Sequence, residues 1–198
     1  GHEVHFLIGD FTAQIGDPSG KSQLRKTLTK EEIAENAKTY EKQVGKVLDL
    51  KKLTIDFNSS WLTGKDLSVF LQVMMSITVN QMLQREDFKK RYEAQQSISM
   101  LELMYPIMQG YDSYEMKADI ELGGTDQIFN LLVGRDIQQL YKQGQQVVIT
   151  LPLLEGTDGI NKMSKSLGNY IALNDTPADM FGKIMSIPDA LMSKYYEL

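Results

Sequence analysis

The sequence alternates short apolar runs with longer stretches of helical periodicity. The runs occupy residues 4–8, 53–57, 118–122 and 147–151, and each is followed by a turn-forming residue such as glycine, asparagine or proline. Strands joined by helices lie parallel, because an antiparallel neighbour needs only a short turn. The sequence therefore predicts an α/β fold whose parallel sheet carries helices on both faces. A strand so close to residue 1 also suggests that an upstream element is missing.

Residues 58–114 are predicted to form a helical insertion that ends in a substrate-binding helix. The pattern is mostly helical from Asp66 to Tyr114 and is rich in methionine. One apolar face comprises Leu67, Phe70, Leu71, Met74 and Met75, and a second comprises Val79, Met82 and Leu83. Such faces suit either a core or a subunit interface, and the sequence leaves both open.

Two further helices are predicted from their start signals. Thr29 and Glu32 have the spacing of a capping box, and Pro177 suits the first turn of a helix that opens the region 175–198. The predicted buried stripe of the earlier helix is Ile33, Ala37, Tyr40, Val44 and Val47 or Leu48.

Composition narrows the class of protein. The chain has 198 residues, a net charge of −5, no cysteine and only two histidines, His2 and His5. The net charge argues against broad electrostatic capture of nucleic acid, and the absence of cysteine excludes disulfides and thiolate metal sites. No apolar run approaches the roughly 20 residues that cross a bilayer. We expect a soluble cytoplasmic protein with neither a membrane partner nor a protein-held metal site.

The segment 16–22 resembles a phosphate-binding loop but does not have its spacing. Gly16 and Gly20 are separated by three residues, whereas a P-loop requires four. The candidate ligand-binding groups in and after this segment are Asp17, Lys21 and Arg25. The alternative is a plain Asp-Pro-Ser-Gly turn with exposed cations.

A polar stripe is predicted on the helix before the third strand. Tyr105, Gln109 and Asp112 stand at i, i+4 and i+7 and therefore share one helical face. A phenol, an amide and a carboxylate in a row can line a small polar pocket. Pro106 complicates this prediction, because it bends a helix or marks its start. An exposed helix face is the alternative.

The third strand leads into Gly123-Gly124-Thr125-Asp126-Gln127. Glycines let a ligand approach the backbone, a helix start offers free amides, and an aspartate there can accept from ribose hydroxyls. Gly124, Asp126 and Gln127 are therefore candidate ligand contacts. A well-capped junction between strand and helix, with Thr125 as the cap, is the alternative.

Residues 155–170 are predicted to form a mobile loop around Lys162-Met163-Ser164-Lys165-Ser166. Lysines supply compact mobile cations, and serines add hydrogen-bond donors suited to phosphates. Taken alone, Lys162, Lys165 and Ser166 also fit a solvated basic loop.

The order and spacing of these four motifs resemble the bacterial type of tyrosyl-tRNA synthetase, a class I aminoacyl-tRNA synthetase, over nearly the whole chain. The resemblance implies a Rossmann-like fold and a ligase that uses ATP, accompanied by Mg²⁺, to activate L-tyrosine and load tRNA(Tyr). It also implies a homodimer formed through helices near Leu67 to Leu83.

The resemblance further implies a role for each candidate residue. Asp17, Tyr105 and Gln109 would hold the substrate ammonium group, Asp112 would accept from its phenol, and Gln127 would contact its amino-acid end. Asp126 and Gly124 would contact the adenylate ribose. The departing pyrophosphate would be steadied by Lys21, Arg25, Lys162, Lys165 and Ser166.

The family's first strand, with its ATP-binding His-Ile-Gly-His type signature, and its anticodon-reading domain are not in this sequence. We therefore expect a central fragment of the catalytic domain with little adenylation activity of its own. A tryptophan-activating relative and a non-enzymatic RNA-binding or scaffold protein derived from a synthetase are the alternatives.

Overall fold

The computed structural model describes residues 1–15, 29–164 and 167–198, apart from the side chains of Lys30 and Ala34. The chain divides into two compact units, Gly1–Ile149 and Thr150–Leu198. The candidate side chains described below belong to the first unit, except for Lys162.

Within the described residues, four strands form two pairs. Strands β1 (Val4–Ile8) and β2 (Leu53–Phe57) are parallel, with Val4 opposite Leu53 and Ile8 opposite Phe57. Strand β3 (Ile120–Gly124) pairs with β4 (Val147–Leu151), and the Val147 amide donates to the Asp119 carbonyl at 2.8 Å. The second pair therefore begins at a common edge. The predicted α/β class is confirmed.

The third strand starts two residues later than predicted. The preceding helix, α6 (Met100–Met116), is followed by Lys117, whose φ of 53° places it in the left-handed region. Two more residues then precede the strand, and Gly123 and Gly124 complete it. Glycine has no side chain to signal a strand, so the apolar pattern placed both ends of this strand too early.

Helix α1 (Lys30–Val44) begins as predicted. The Thr29 hydroxyl accepts from the Glu32 amide, and the Glu32 carboxylate accepts from the Thr29 amide, which completes a capping box. The predicted buried stripe was wrong beyond its first turns. Ile33 and Ala37 are buried and Val44 is half-buried, whereas Tyr40, Val47 and Leu48 are exposed. The helix ends at Val44, so Val47 and Leu48 lie beyond it.

Five helices lie between β2 and β3. They are α2 (Ser59–Leu62), α3 (Leu67–Met74), α4 (Val79–Met82), α5 (Glu86–Glu93) and α6 (Met100–Met116). Val73 and Met82 are buried in the core, whereas Leu67, Met75 and Val79 are largely exposed. Each predicted apolar face therefore contributes only part of its side chains to the core.

Helix α7 (Ile128–Leu140) packs closely on α6. It follows a 3-10 turn (Thr125–Gln127), so it begins two residues later than the predicted Asp126, without the expected Thr125 cap. A Cβ atom added to Gly110 would lie 2.8 Å from Val133 Cγ1 and 2.9 Å from Ile137 Cδ1. Gly110 therefore allows the close contact that fixes α6 against α7.

The second unit contains α8 (Pro177–Met185) and α9 (Asp189–Glu197), and Leu191 is its buried apolar centre. Thr176 caps α8, with Pro177 in its first turn as predicted. Within the described ranges, no helix combines the length and the apolar character needed to cross a membrane.

Candidate active site

Asp112 lies at the centre of a buried polar cluster. Its side chain is only 3% exposed. Oδ1 accepts from Trp61 Nε1 at 2.7 Å, and Oδ2 accepts from Asn58 Nδ2 at 3.1 Å. The alternative of an exposed helix face is therefore wrong for this residue.

Asn58 joins three elements around that carboxylate. It is fully buried in the turn between β2 and α2. Its Nδ2 also donates to Thr12 Oγ1 at 3.1 Å, and its Oδ1 accepts from the Phe11 amide at 2.9 Å. Residues that follow β1 are thereby held against α6.

Burial raises the pKa of Asp112 to about 7. The hydrogen bonds from Trp61 and Asn58 lower this pKa, and the nearby carboxylates of Glu121 and Asp10 raise it. The two donors therefore offset only part of the desolvation cost of a buried anion. The Asp112 carboxyl can consequently change its protonation state near neutral pH.

Tyr105 and Gln109 lie on the same helix as Asp112, and both are half-buried. Pro106 sits inside α6 and does not end it, so the three residues share one uninterrupted helix. Tyr105 also packs against the apolar core of the first unit. The structure therefore confirms that these residues belong to one helical segment.

A residue that the sequence did not indicate connects the turn after β3 to the polar stripe on α6. Asn130, on α7, donates from Nδ2 to Gln109 Oε1 at 2.8 Å and to Gln127 Oε1 at 3.0 Å. Gln127 Nε2 donates to the exposed carboxylate of Asp126 at 3.4 Å. Gly124 ends β3 immediately before this turn. Two motifs that were separate in the sequence thus form one polar surface.

Lys162 lies in the second unit, where its side chain is exposed. Its backbone pairs with Glu155 in an antiparallel bridge. Buried Asn169 closes this turn by donating to the Lys162 carbonyl at 3.3 Å and accepting from the Ser164 amide at 2.9 Å. The other predicted phosphate and ammonium contacts, Asp17, Lys21, Arg25, Lys165 and Ser166, lie outside the described residues.

The sequence did not indicate three residues of the site. Asn58 signalled only the end of a strand, and Asn130 only an ordinary helical position. Trp61 is the one tryptophan in the chain, and a buried indole requires an acceptor. That requirement was an available signal, although it does not identify Asp112 as the acceptor.

A cavity of about 540 Å³ lies at the other end of the strands and is not this site. Its lining includes Asp119 just before β3, Gln146 just before β4, and Tyr114 near the end of α6. The polar cluster around Asp112 instead follows the carboxyl ends of β1, β2 and β3, where parallel α/β proteins bind ligands.

The fold is of the α/β class, and its buried polar cluster lies beyond the carboxyl ends of β1, β2 and β3. Residues 1–198 match the family of class I tRNA synthetases (W and Y). The chain belongs to this family, whose members act on tryptophan or tyrosine.

Curated relatives are close in sequence. The tyrosine–tRNA ligase of Desulfotalea psychrophila is 58% identical and that of Geobacter metallireducens 59% identical, each over all 198 residues. Each match covers 49% of the relative, so the chain spans about half the length of the curated relatives it matches. The crystal structure of tyrosyl-tRNA synthetase from Archaeoglobus fulgidus, complexed with L-tyrosine, superimposes with a TM-score of 0.72 at 26% identity. That match covers 94% of this chain and 55% of the other.

Proposed function

We propose that this chain is the tyrosine-activating part of a tyrosine–tRNA ligase that also uses ATP and tRNA(Tyr). The observation that carries the proposal is the buried Asp112 carboxyl, held by Trp61 and Asn58. A carboxyl in such a place suits a phenol, which can donate to it. The names of the curated relatives support tyrosine over tryptophan as the substrate.

In the proposed reaction, a carboxylate oxygen of tyrosine forms a bond to the α-phosphorus of ATP. The bond from that phosphorus to the β-phosphate oxygen breaks, which gives tyrosyl-adenylate and pyrophosphate. The tyrosyl group then passes to a hydroxyl of the terminal tRNA ribose, and AMP leaves. Because the attacking group is already an anion, the first step needs positioning and phosphate neutralisation rather than a general base.

The candidate residues divide this work in our proposal. Asp17, Tyr105 and Gln109 hold the ammonium group, Asp112 accepts from the phenol, and Gln127 contacts the amino-acid end. Asp126 and Gly124 contact the adenylate ribose. The cations Lys21, Arg25, Lys162 and Lys165, with Ser166, steady the pyrophosphate. Magnesium enters with ATP as part of the substrate.

Phenylalanine is discriminated against at Asp112. It would bring a ring without a hydroxyl to a carboxyl that is already removed from water, so that group would lose a partner it gains with tyrosine. Trp61 and Asn58 hold Asp112 in place and so contribute indirectly to this selectivity.

ATP–pyrophosphate exchange tests the proposal. The chain is extended at both ends with the flanking segments of the Geobacter metallireducens relative, and exchange is measured with tyrosine, tryptophan and phenylalanine. We expect exchange with tyrosine alone, and a large loss of kcat in Lys162→Ala with little change in the KM for tyrosine. An exposed lysine on α1 provides the matched control, Lys38→Ala. Preferential exchange with tryptophan, or none with any amino acid, would overturn the proposal.

We further propose that the protein forms a homodimer through α3 and α4. Exposed Leu67, Leu71 and Met75 follow one another at four-residue intervals, and Val79 extends this apolar surface. Light scattering should show a dimer that Met75→Glu weakens. Met185→Glu, at a similarly exposed methionine on α8, should leave it intact. A strictly monomeric mass at high concentration would contradict this proposal.

We also propose a cytoplasmic location. The absence of cysteine fits a reducing compartment, which is where tRNA loading takes place.

A further inference from the structure

Asn130 makes hydrogen bonds at both ends of its carboxamide. The residue is only 1% exposed and stands in the first turn of α7. Its Nδ2 donates to Gln109 Oε1 and Gln127 Oε1, and its Oδ1 accepts from an Arg85 guanidinium nitrogen at 3.4 Å. The side chain therefore links α7, α6, the turn after β3 and the start of α5.

The arginine decides which way this carboxamide faces. A guanidinium can only donate hydrogen bonds, whereas a carboxamide has one accepting end and one donating end. Asn130 must therefore turn Oδ1 toward Arg85, which leaves its two N–H groups for the glutamines. Each glutamine in turn must present its oxygen, not its nitrogen, to Asn130.

Arg85 is itself held in place. Its side chain is 6% exposed, its Nε lies 2.7 Å from Asp87 Oδ1, and a second nitrogen donates to Asp87 Oδ2 at 3.1 Å. The guanidinium also lies over the ring of fully buried Phe88, 4.7 Å from its centroid. The planar guanidinium is thus hydrogen-bonded along one edge by Asp87 and stacked on one face by Phe88, so it has little freedom to rotate.

We propose that Asn130 is a positioning residue that fixes the carboxamide orientation of Gln109 and Gln127, and that Arg85 sets the orientation of Asn130. The inference rests on the proposed function, in which both glutamines contact the amino-acid end of the substrate. It goes beyond that function because it gives roles to Asn130 and Arg85, which the proposed reaction does not use.

The fixed orientation brings two amide oxygens together. Both Oε1 atoms lie within 3.0 Å of the same nitrogen, and each oxygen has a second lone pair for a further donor. Converging oxygens favour an ammonium group, which only donates. A glutamine turned the other way would present N–H groups to the same cation. Asn130 thereby favours the ammonium group of the amino acid.

The test is Asn130→Asp in the extended protein, with tyrosine and its deamino analogue as ligands in calorimetric titrations. The introduced carboxylate has nearly the same size and still accepts from Arg85, but it cannot donate to the glutamines. The glutamines then bond to it through Nε2 and turn their oxygens away. We expect tyrosine affinity to fall about tenfold or more, because hydrogen bonds to a charged group are lost. Affinity for the deamino analogue should change little.

Two further comparisons distinguish an effect on glutamine orientation from a general loss of structure. Asn36→Asp, at an exposed position on α1, adds the same charge away from the site and should bind both ligands normally. Arg85→Met should reduce the preference for tyrosine over the deamino analogue, and Arg85→Lys should restore part of it. Circular dichroism and unchanged ATP affinity establish that the variants are folded.

An unchanged preference for tyrosine over its deamino analogue in Asn130→Asp would overturn the inference. Equal losses for both ligands would also overturn it, because they would indicate a general structural role. Failure of the unsubstituted extended protein to bind tyrosine is a different result, which overturns the proposed function and this inference with it.

Discussion

The indole nitrogen of Trp61 donates a 2.7 Å hydrogen bond to Oδ1 of Asp112. The contact joins the short helix α2 to the second half of α6 across 51 residues of sequence. It places a donor on a carboxyl that is otherwise costly to ionise, and so it controls both the charge and the position of Asp112.

Trp61→Phe should raise the pKa of Asp112 above its value of about 7. The substitution keeps an aromatic ring but removes a hydrogen bond that favours the ionised carboxylate. Loss of this buried partner should also reduce the free energy of unfolding by about 1–3 kcal/mol. Carbon-detected NMR titration of the Asp112 carboxyl and urea unfolding followed by circular dichroism measure the two effects. Tyr195→Phe, which removes a hydroxyl donor in the second unit, should leave the Asp112 titration unchanged. An unaltered titration in Trp61→Phe would contradict the assignment.

Asp112 should make the protein less stable as pH rises from about 4 to about 7. In the folded state the carboxyl keeps its proton up to its raised pKa of about 7, whereas in the unfolded chain it loses the proton near pH 4. Between these values the folded state binds more protons, so the free energy of unfolding falls with increasing pH. The contribution is on the order of 4 kcal/mol.

The comparison of wild type with Asp112→Asn isolates this contribution. Glu102 and Asp158 have lowered pKa values and act in the opposite direction in both proteins. Urea unfolding at several pH values should show a difference between the two proteins that shifts in favour of Asp112→Asn as pH rises. A pH-independent difference would refute the raised pKa.

Glu102→Gln should be strongly destabilising. Glu102 is 4% exposed, pairs with Arg91, and accepts from the Ser99 amide in a capping box at the start of α6. Arg91 also donates to the Ser97 carbonyl, but loss of the carboxylate leaves its largely buried guanidinium without a countercharge, which costs about 3–5 kcal/mol. Glu86→Gln, which removes an exposed i,i+4 pair with Lys90, should have little effect. Equal stability of the two variants in urea would contradict this interpretation.

Two glycine-to-alanine substitutions should have opposite signs. Gly110→Ala would place a Cβ atom 2.8 Å from Val133 Cγ1 and 3.0 Å from the Gly134 nitrogen, which forces α6 away from α7 and costs about 1–3 kcal/mol. Gly182 is helical in α8 and has open space around it. Gly182→Ala should therefore stabilise that helix by about 0.5–1 kcal/mol. Thermal unfolding of both variants, followed by circular dichroism, decides the signs.

Local signals in the sequence were sufficient for most elements. Strands β1, β2 and β4 lie at the predicted positions. Two predicted helix starts are also correct, because Thr29 forms a capping box with Glu32 and Thr176 caps α8. The errors fall where local pattern is ambiguous. The third strand ends in two glycines, and the stripe of α1 becomes exposed at Tyr40. The spacing of apolar residues predicts which face of a helix is hydrophobic. Whether that face is buried depends on the elements that pack against it.

By itself the sequence determined the α/β class, the shared face of Tyr105, Gln109 and Asp112, and the family, because these depend on spacing along the chain. Only the tertiary structure decided that Asn58 and Trp61, 54 and 51 residues away, hold Asp112. It also decided that Asn130 ties Gln109 to Gln127. Hydrogen-bond partners and pKa values depend on burial and on neighbours in space, which no local pattern specifies.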